Sequence, residues 1–270
     1  MENRQKFAIL RATRRVWAVS SIHSQAAELD RLHVALTGRL RFGDRLVYLG
    51  NLIGRGSGTI ATLNALLRFR SLFMARPDAF AADVVLLRGS QEEMWQKLLQ
   101  LQFATDPRGV LQWMLDQGLA ASLEAYGCAP AEGLREAAAG PRQLTRWTSA
   151  LRQKIQEHPG HYELLGGLRR AAYTEENSGK EGLLFVNAGL DPSRPLEAQK
   201  DSFWWGSAGF AGMAAPYGGF ARVVRGFSSQ HPGLELERFT ATLDAGCGFG
   251  GKLLAACFHL DGSLADHLEV

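Results

Sequence analysis

Over the first hundred positions, short β-prone runs alternate with longer stretches in which apolar residues recur at helical spacing. Val16-Trp17-Ala18-Val19 predicts a strand ending in a polar turn, and residues 26–36 then carry the spacing of a helix. Arg45-Leu46-Val47-Tyr48-Leu49 predicts a second strand running into a glycine-rich turn over residues 50–58, after which Ile60, Leu63, Leu66 and Leu67 mark a helix face. Val84-Val85-Leu86-Leu87 predicts a third strand, followed by a polar turn and a helix from about residue 92 to 101. Three strand-turn-helix units predict an α/β fold with functional loops at the carboxyl ends of the strands.

From residue 111 to 173 the chain turns rich in Ala, Leu, Arg and Gln, which predicts a helical insertion. Leu144, Trp147, Leu151 and Ile155 form an i, i+3, i+7, i+11 stripe, read as a core face. Strands return at 183–186, 222–225, 240–243 and 253–260, the last two flanking a glycine-rich turn expected to be a hairpin. Residues 206–219 are too permissive in backbone for a core element and are expected to form a mobile loop.

Composition narrows the classes. At 270 residues, 46% hydrophobic and 21% charged, the chain is expected to be one large domain spanning 1–270. A net charge of +3 lacks the dense basic clustering of a nucleic-acid binder, yet suits an anionic ligand. Cys128, Cys247 and Cys257 show no paired spacing and fit free thiols in a reducing compartment. Residues 1–15 are basic but lead into no apolar leader segment, and no apolar run approaches a membrane span, so a cytoplasmic protein away from membranes is expected.

Seven ordered blocks then stand out: Ser20-Ser21-Ile22-His23-Ser24-Gln25, Leu49-Gly50-Asn51-Leu52-Ile53-Gly54-Arg55-Gly56, Leu87-Arg88-Gly89-Ser90-Gln91-Glu92, Phe185-Val186-Asn187-Ala188-Gly189-Leu190-Asp191-Pro192, Asp201-Ser202-Phe203-Trp204-Trp205-Gly206, Val223-Val224-Arg225-Gly226-Phe227-Ser228, and Asp244-Ala245-Gly246-Cys247 with Gly251-Lys252-Leu253. In order and spacing they resemble the phosphoprotein phosphatase branch of the calcineurin-like metallophosphoesterases, bacterial serine/threonine phosphatases especially, over residues 16–262. The resemblance implies a central two-sheet β-sandwich flanked by helices in four layers, α/β/β/α.

It also implies a site whose chemistry has been stripped. The family's six metal ligands map to Ser21, His23, Asn51, Ser90, Asn187 and Phe227, so only one imidazole survives and both carboxylates are gone. Neutral hydroxyls and amides are poor ligands for the divalent ions that activate water in such enzymes. The family's general-acid position is Gln91, which does not donate a proton near neutral pH. Its second phosphate-contacting arginine falls at Gly206.

On this reading no catalytic residue and no cofactor remain; the alternative is a divergent hydrolase holding one weak divalent metal on His23, Asn51 and a ligand the motifs do not reveal. Arg55 survives, and two roles stay open for it: gripping a phosphoryl oxyanion, with Arg225 assisting, or hydrogen-bonding its own loop. Arg88 and Glu92 are expected to brace the third loop, and His23 to be satisfied within its own. The expected function is that of a pseudophosphatase, a binding or regulatory protein recognising a protein partner or a phosphate-bearing ligand. Two weaker motifs are set aside: Gly246–Lys252 lacks the hydroxyl residue of a phosphate loop, and Pro159-Gly160 breaks the helix that would align His158 and His161 on a metal.

Overall fold

The computed structural model describes residues 6–175 and 182–270. Residues 1–5, the start of the basic amino-terminal segment, lie outside it, as do 176–181. Two sheets carry the architecture. One has five strands in the order β11-β10-β2-β3-β4 and the other six in the order β1-β5-β6-β7-β9-β8. The strands are β1 (Phe7–Leu10), β2 (Arg15–Val19), β3 (Asp44–Tyr48), β4 (Val84–Leu86), β5 (Ala171–Thr174), β6 (Gly182–Val186), β7 (Phe220–Arg225), β8 (Gly233–Leu236), β9 (Thr240–Asp244), β10 (Leu254–His259) and β11 (Leu264–Glu269).

Strand alternation explains why the sheets stack. Val16 and Ala18 of β2, Val47 of β3, Leu183 and Phe185 of β6 and Val224 of β7 share one buried cluster between the sheets. Their neighbours point the other way: Trp17, Val19, Leu46 and Tyr48 face the helices, while Leu184, Val186 and Val223 face an outer cluster around Phe203 and Phe210. β2, β3 and β6 are therefore buried on both faces, which is why these segments read as continuous apolar runs.

Helices α1 (Ala26–Thr37), α2 (Thr59–Met74) and α3 (Ser90–Leu98) follow β2, β3 and β4. Between β4 and β5 lie α4 (Pro107–Met114), α5 (Ala120–Ala125), α6 (Pro130–Ala139), α7 (Pro141–Gln156) and α8 (His161–Gly166); α9 (Ser202–Trp205) follows β6. The stripe of Leu144, Trp147, Leu151 and Ile155 is buried along α7.

Three expectations change. The helical segment stops short of residue 173, because Ala171–Thr174 pairs in parallel with β1 and antiparallel with β6. The glycine-rich turn after β9 is no hairpin: Ala245 bridges Lys252 locally, but β9 and β10 belong to different sheets, so the turn carries the chain from one to the other. Within residues 206–219, Phe210 and Tyr217 are buried and anchor the segment in the outer cluster.

Candidate functional site

The parallel strands β2, β3 and β4 of one sheet and β6, β7 and β9 of the other point their carboxyl ends to the same region. Backbone hydrogen bonds there knit the two sheets together. Ser21 N donates to Gly226 O at 3.0 Å, and Gly226 N and Phe227 N donate to Asn187 O at 2.8 and 3.0 Å. Asn187 Nδ2 donates across to Leu49 O at 2.7 Å. The loops carrying Ser21, Asn51, Asn187 and Phe227 thus converge.

Asn51 is the hub. Its Nδ2 donates to Ser21 Oγ at 3.1 Å, and its Oδ1 accepts from Ser90 Oγ at 3.1 Å and from Gln91 N at 3.2 Å. Asn51 holds a left-handed φ of 50°, a conformation Asn tolerates better than most residues. Gly89 makes the approach possible, since a Cβ there would meet Asn51 Oδ1 at 2.2 Å. Beneath this hub Glu92 is buried and accepts from Gly89 N at 2.7 Å, Asn51 N at 2.9 Å and Ile53 N at 3.0 Å. Burial raises its pKa, opposed by these backbone donors. Glu92 therefore ties the second loop to the third rather than bracing the third alone, while Arg88 pairs with Glu93 at 3.1 Å.

A cavity of about 330 Å³ opens beside the hub, lined by His23, Arg55, Ser90, Gln91, Phe227 and His231 among others. Phe249 is at its centre of contacts: the Arg55 guanidinium lies 4.0 Å from its ring centroid, His231 4.3 Å and His23 5.4 Å. Arg55 donates its backbone N–H to Gly118 O at 2.7 Å, so the backbone is tied to the helical segment. Its side chain stays exposed, and among the described residues no carboxylate or carbonyl pairs with the guanidinium. Desolvation lowers the Arg55 pKa, though a guanidinium remains charged at neutral pH. Arg225 is elsewhere: its guanidinium bonds Thr242 Oγ1 at 2.9 Å and lies 4.5 Å from the Phe210 ring centroid. The structure does not bring it to Arg55.

His23 departs from expectation. It is 1% exposed, yet neither ring nitrogen has a hydrogen-bond partner, because Phe227 and Phe249 offer it only aromatic surfaces. Burial, then the charge of Arg55 and then His231, lowers its pKa to about 3, so the ring is neutral. Gln91 also turns away from an acid's role, donating Nε2 to Gln117 O at 2.9 Å.

His231 was missed by the sequence reasoning. Its Nδ1 lies 2.9 Å from Asp244 Oδ2, and Asp244 also accepts from Ser228 N at 2.8 Å and Gly246 N at 3.0 Å. The antiparallel pairing of Gly233 with Asp244 creates that contact, so recognising the β8–β9 hairpin would have exposed it. Trp205 is 45% exposed in the wall of the cavity, its ring centroid 5.5 Å from that of Trp113 of α4. His158 and His161 stack on each other, and His161 has both nitrogens engaged by Tyr126 at 2.8 Å and Asn64 at 3.0 Å.

With this architecture in view, likeness to solved structures is informative. The chain matches a crystal structure provisionally named as a diadenosine tetraphosphatase at 18% identity and TM-score 0.54, covering 98% of this chain and 97% of that one. The chain has the calcineurin-like metallophosphoesterase fold. A protein serine/threonine phosphatase from Saccharomyces cerevisiae with similarity to human phosphatase PP5 matches at 14% identity and TM-score 0.50, over 95% of this chain and 78% of that one. No family model and no curated protein matches the sequence. At such identities the likeness speaks for the metallophosphoesterase fold alone.

The metal pair of that fold does not suit the donor set here. Asn51 has committed both ends of its amide, Asn187 has committed its nitrogen to Leu49, and Phe227 offers no donor atom. The six mapped positions would therefore offer two dications one neutral imidazole and one free amide oxygen, Asn187 Oδ1, with no carboxylate among them. Among the described residues no group of three His, Cys, Asp or Glu is placed to hold an ion.

Proposed function

We propose that this protein is a pseudophosphatase: a metallophosphoesterase fold that binds at its old catalytic cleft, or through its surface to a protein partner, without hydrolysing a phosphoester and without a metal cofactor. The observation that carries the reading is the closed hydrogen-bond set of Asn51. By the resemblance, a metal-ligating carboxylate is replaced by an amide, whose oxygen accepts from Ser90 and Gln91 and whose nitrogen donates to Ser21. Self-satisfied polar groups of this kind stand in for charge compensation by a metal. The alternative, a single-metal hydrolase, requires the Asn51 oxygen that those two donors already occupy.

What remains for a ligand is Arg55, which supplies a charged fork suited to a phosphoryl oxyanion. No described helix is long and apolar enough to cross a membrane. The reading is tested by elemental analysis of freshly purified protein together with hydrolysis of aryl phosphates and phosphopeptides in excess Mn ions. Background turnover and no stoichiometric metal are expected, whereas close to two transition metals per chain, or metal-dependent turnover, would overturn it. Arg55→Ala should lower phosphate binding in calorimetry; equal binding by variant and wild type would remove the cleft as an anion site.

A further inference from the structure

A second cavity, of about 650 Å³, opens along the side of the sandwich where β1 and β4 each end their sheet, and it shares no lining residue with the cleft. Lys6 O and Leu10 O accept from Arg170 N and Glu175 N at 2.8 and 3.2 Å, so the even positions of β1 turn to β5 and the backbone groups of Phe7 and Ile9 turn outward. On β4, Leu87 N donates to Tyr48 O at 2.8 Å, which turns the N–H groups of Val84 and Leu86 away from β3. Arg169 N takes Leu86 O at 3.0 Å, closing one end of this edge. Phe7, Ile9, Val84 and Leu86 all line the cavity, and outward strand edges of this kind are templates for a further strand.

The walls name the occupant. Leu67 of α2, Leu164 of α8 and Leu168 supply apolar surface, while Ala81, Ala82 and Gly167 keep the groove wide. Its charges are Arg11, Arg70 and Arg169 against the single acid Glu163. Arg70 is half-buried, and among the described residues its guanidinium makes no hydrogen bond or ion pair. Arg11 reaches Glu175 at 3.7 Å with both side chains exposed, a pair too screened to neutralise it.

We propose that this groove docks an extended acidic peptide segment of a partner protein, which adds a strand to the β1 edge and sets a carboxylate on Arg70. Backbone pairing supplies affinity in such additions, and alternate side chains supply selection, here acids for the arginines and apolar residues for the leucine wall. An acyl chain fits less well, because it offers nothing to the outward N–H and C=O groups. The inference deepens the partner-binding half of the preceding reading and rests on that half alone, so its failure leaves the loss of phosphoester hydrolysis untouched.

The test is an NMR titration of the full chain with short capped peptides of alternating valine and glutamate, with the matching valine and lysine peptides, and with vesicles of anionic phosphatidylglycerol. The acidic probe should shift the amide resonances of Phe7 and Ile9 and the side-chain resonances of Arg70, and leave those of Arg55 in place. Arg70→Ala should weaken its binding about tenfold, the loss of a charge-assisted contact. Ile9→Pro removes an outward N–H at an edge position where proline is tolerated, and should abolish binding with the circular dichroism unchanged. Should that variant fail to fold, an acidic probe methylated on every amide nitrogen replaces it: charge is kept, strand pairing is not, and binding should vanish. Equal response to the lysine probe, binding that survives Ile9→Pro or methylation, or no shift at millimolar acidic peptide would overturn the proposal. Vesicles that move the Phe7 and Ile9 resonances where the acidic peptide does not would overturn it in favour of a membrane surface.

Discussion

Glu92 accepts the backbone N–H of Asn51 at 2.9 Å from a position buried beneath the cleft. Through Ile53 N and Gly89 N the same carboxylate holds three backbone donors from two loops. Glu92→Gln replaces one acceptor oxygen by an amide NH2 group, a donor that faces N–H groups. It should destabilise the protein by roughly 2–4 kcal/mol, the range for leaving buried donors unpaired. Urea unfolding measures this; a change under about 0.5 kcal/mol, the range of an ordinary surface substitution, would mean the loops hold without it.

Restoring one lost charge should not restore chemistry. Asn51→Asp would place a carboxylate next to buried Glu92 and remove the amide donation to Ser21, with no second ligand set to receive a metal. A loss of roughly 1–3 kcal/mol and no Mn-dependent hydrolysis are expected. Turnover appearing in this single variant would show that the site needs only one carboxylate.

Chelation should leave folding untouched. The hub around Asn51 is held by neutral hydrogen bonds rather than by an ion. The melting temperature should coincide with and without EDTA, and a fall of several degrees would reveal a structural ion.

Stability should fall on mild acidification. His23 and His33 have pKa values lowered to about 3, and His161 to about 4, burial being the first cause of each. His33 stacks on Phe69 at 3.9 Å and bonds Tyr48 OH at 2.7 Å, a setting that favours the neutral ring. Above pH 6.5 the rings are neutral in both folded and unfolded chains, and the stabilisation is whole. As pH falls below 6.5 the unfolded chain takes up protons that the folded one refuses, so stability is lost toward pH 3–4. At pH 5 each ring should cost about 2 kcal/mol. Urea unfolding at pH 7 and pH 5 should differ accordingly, and flat stability across that interval would contradict the lowered values.

The fold was legible because its strands are buried on both faces, so β2, β3, β4, β6, β7 and β9 announce themselves as apolar runs. β8 and β11 did not: Glu235 and Leu236 of β8 are exposed, and β11 mixes Asp266 and His267 with apolar residues at a sheet edge. In the site, residues carried by the strand-end motifs could be placed from order alone. His231, Phe249 and Trp205 could not, since their positions depend on sheet pairing and on a turn that changes sheets. The split of Arg225 from Arg55 was equally hidden, because it is decided by which face of β7 the arginine occupies.

The wide turn Leu115–Leu119 of the helical segment touches the cleft at two points, Gly118 O accepting from Arg55 N at 2.7 Å and Gln117 O from Gln91 Nε2 at 2.9 Å. A third tie comes from α5, where Ser122 Oγ accepts from Gly54 N at 3.0 Å. The helices and the cleft are thus mechanically geared. A macromolecule that shifts that turn on docking would shift Arg55 and Gln91 together, and any resulting change in anion affinity must be matched by an equal change in its own affinity when the anion is bound.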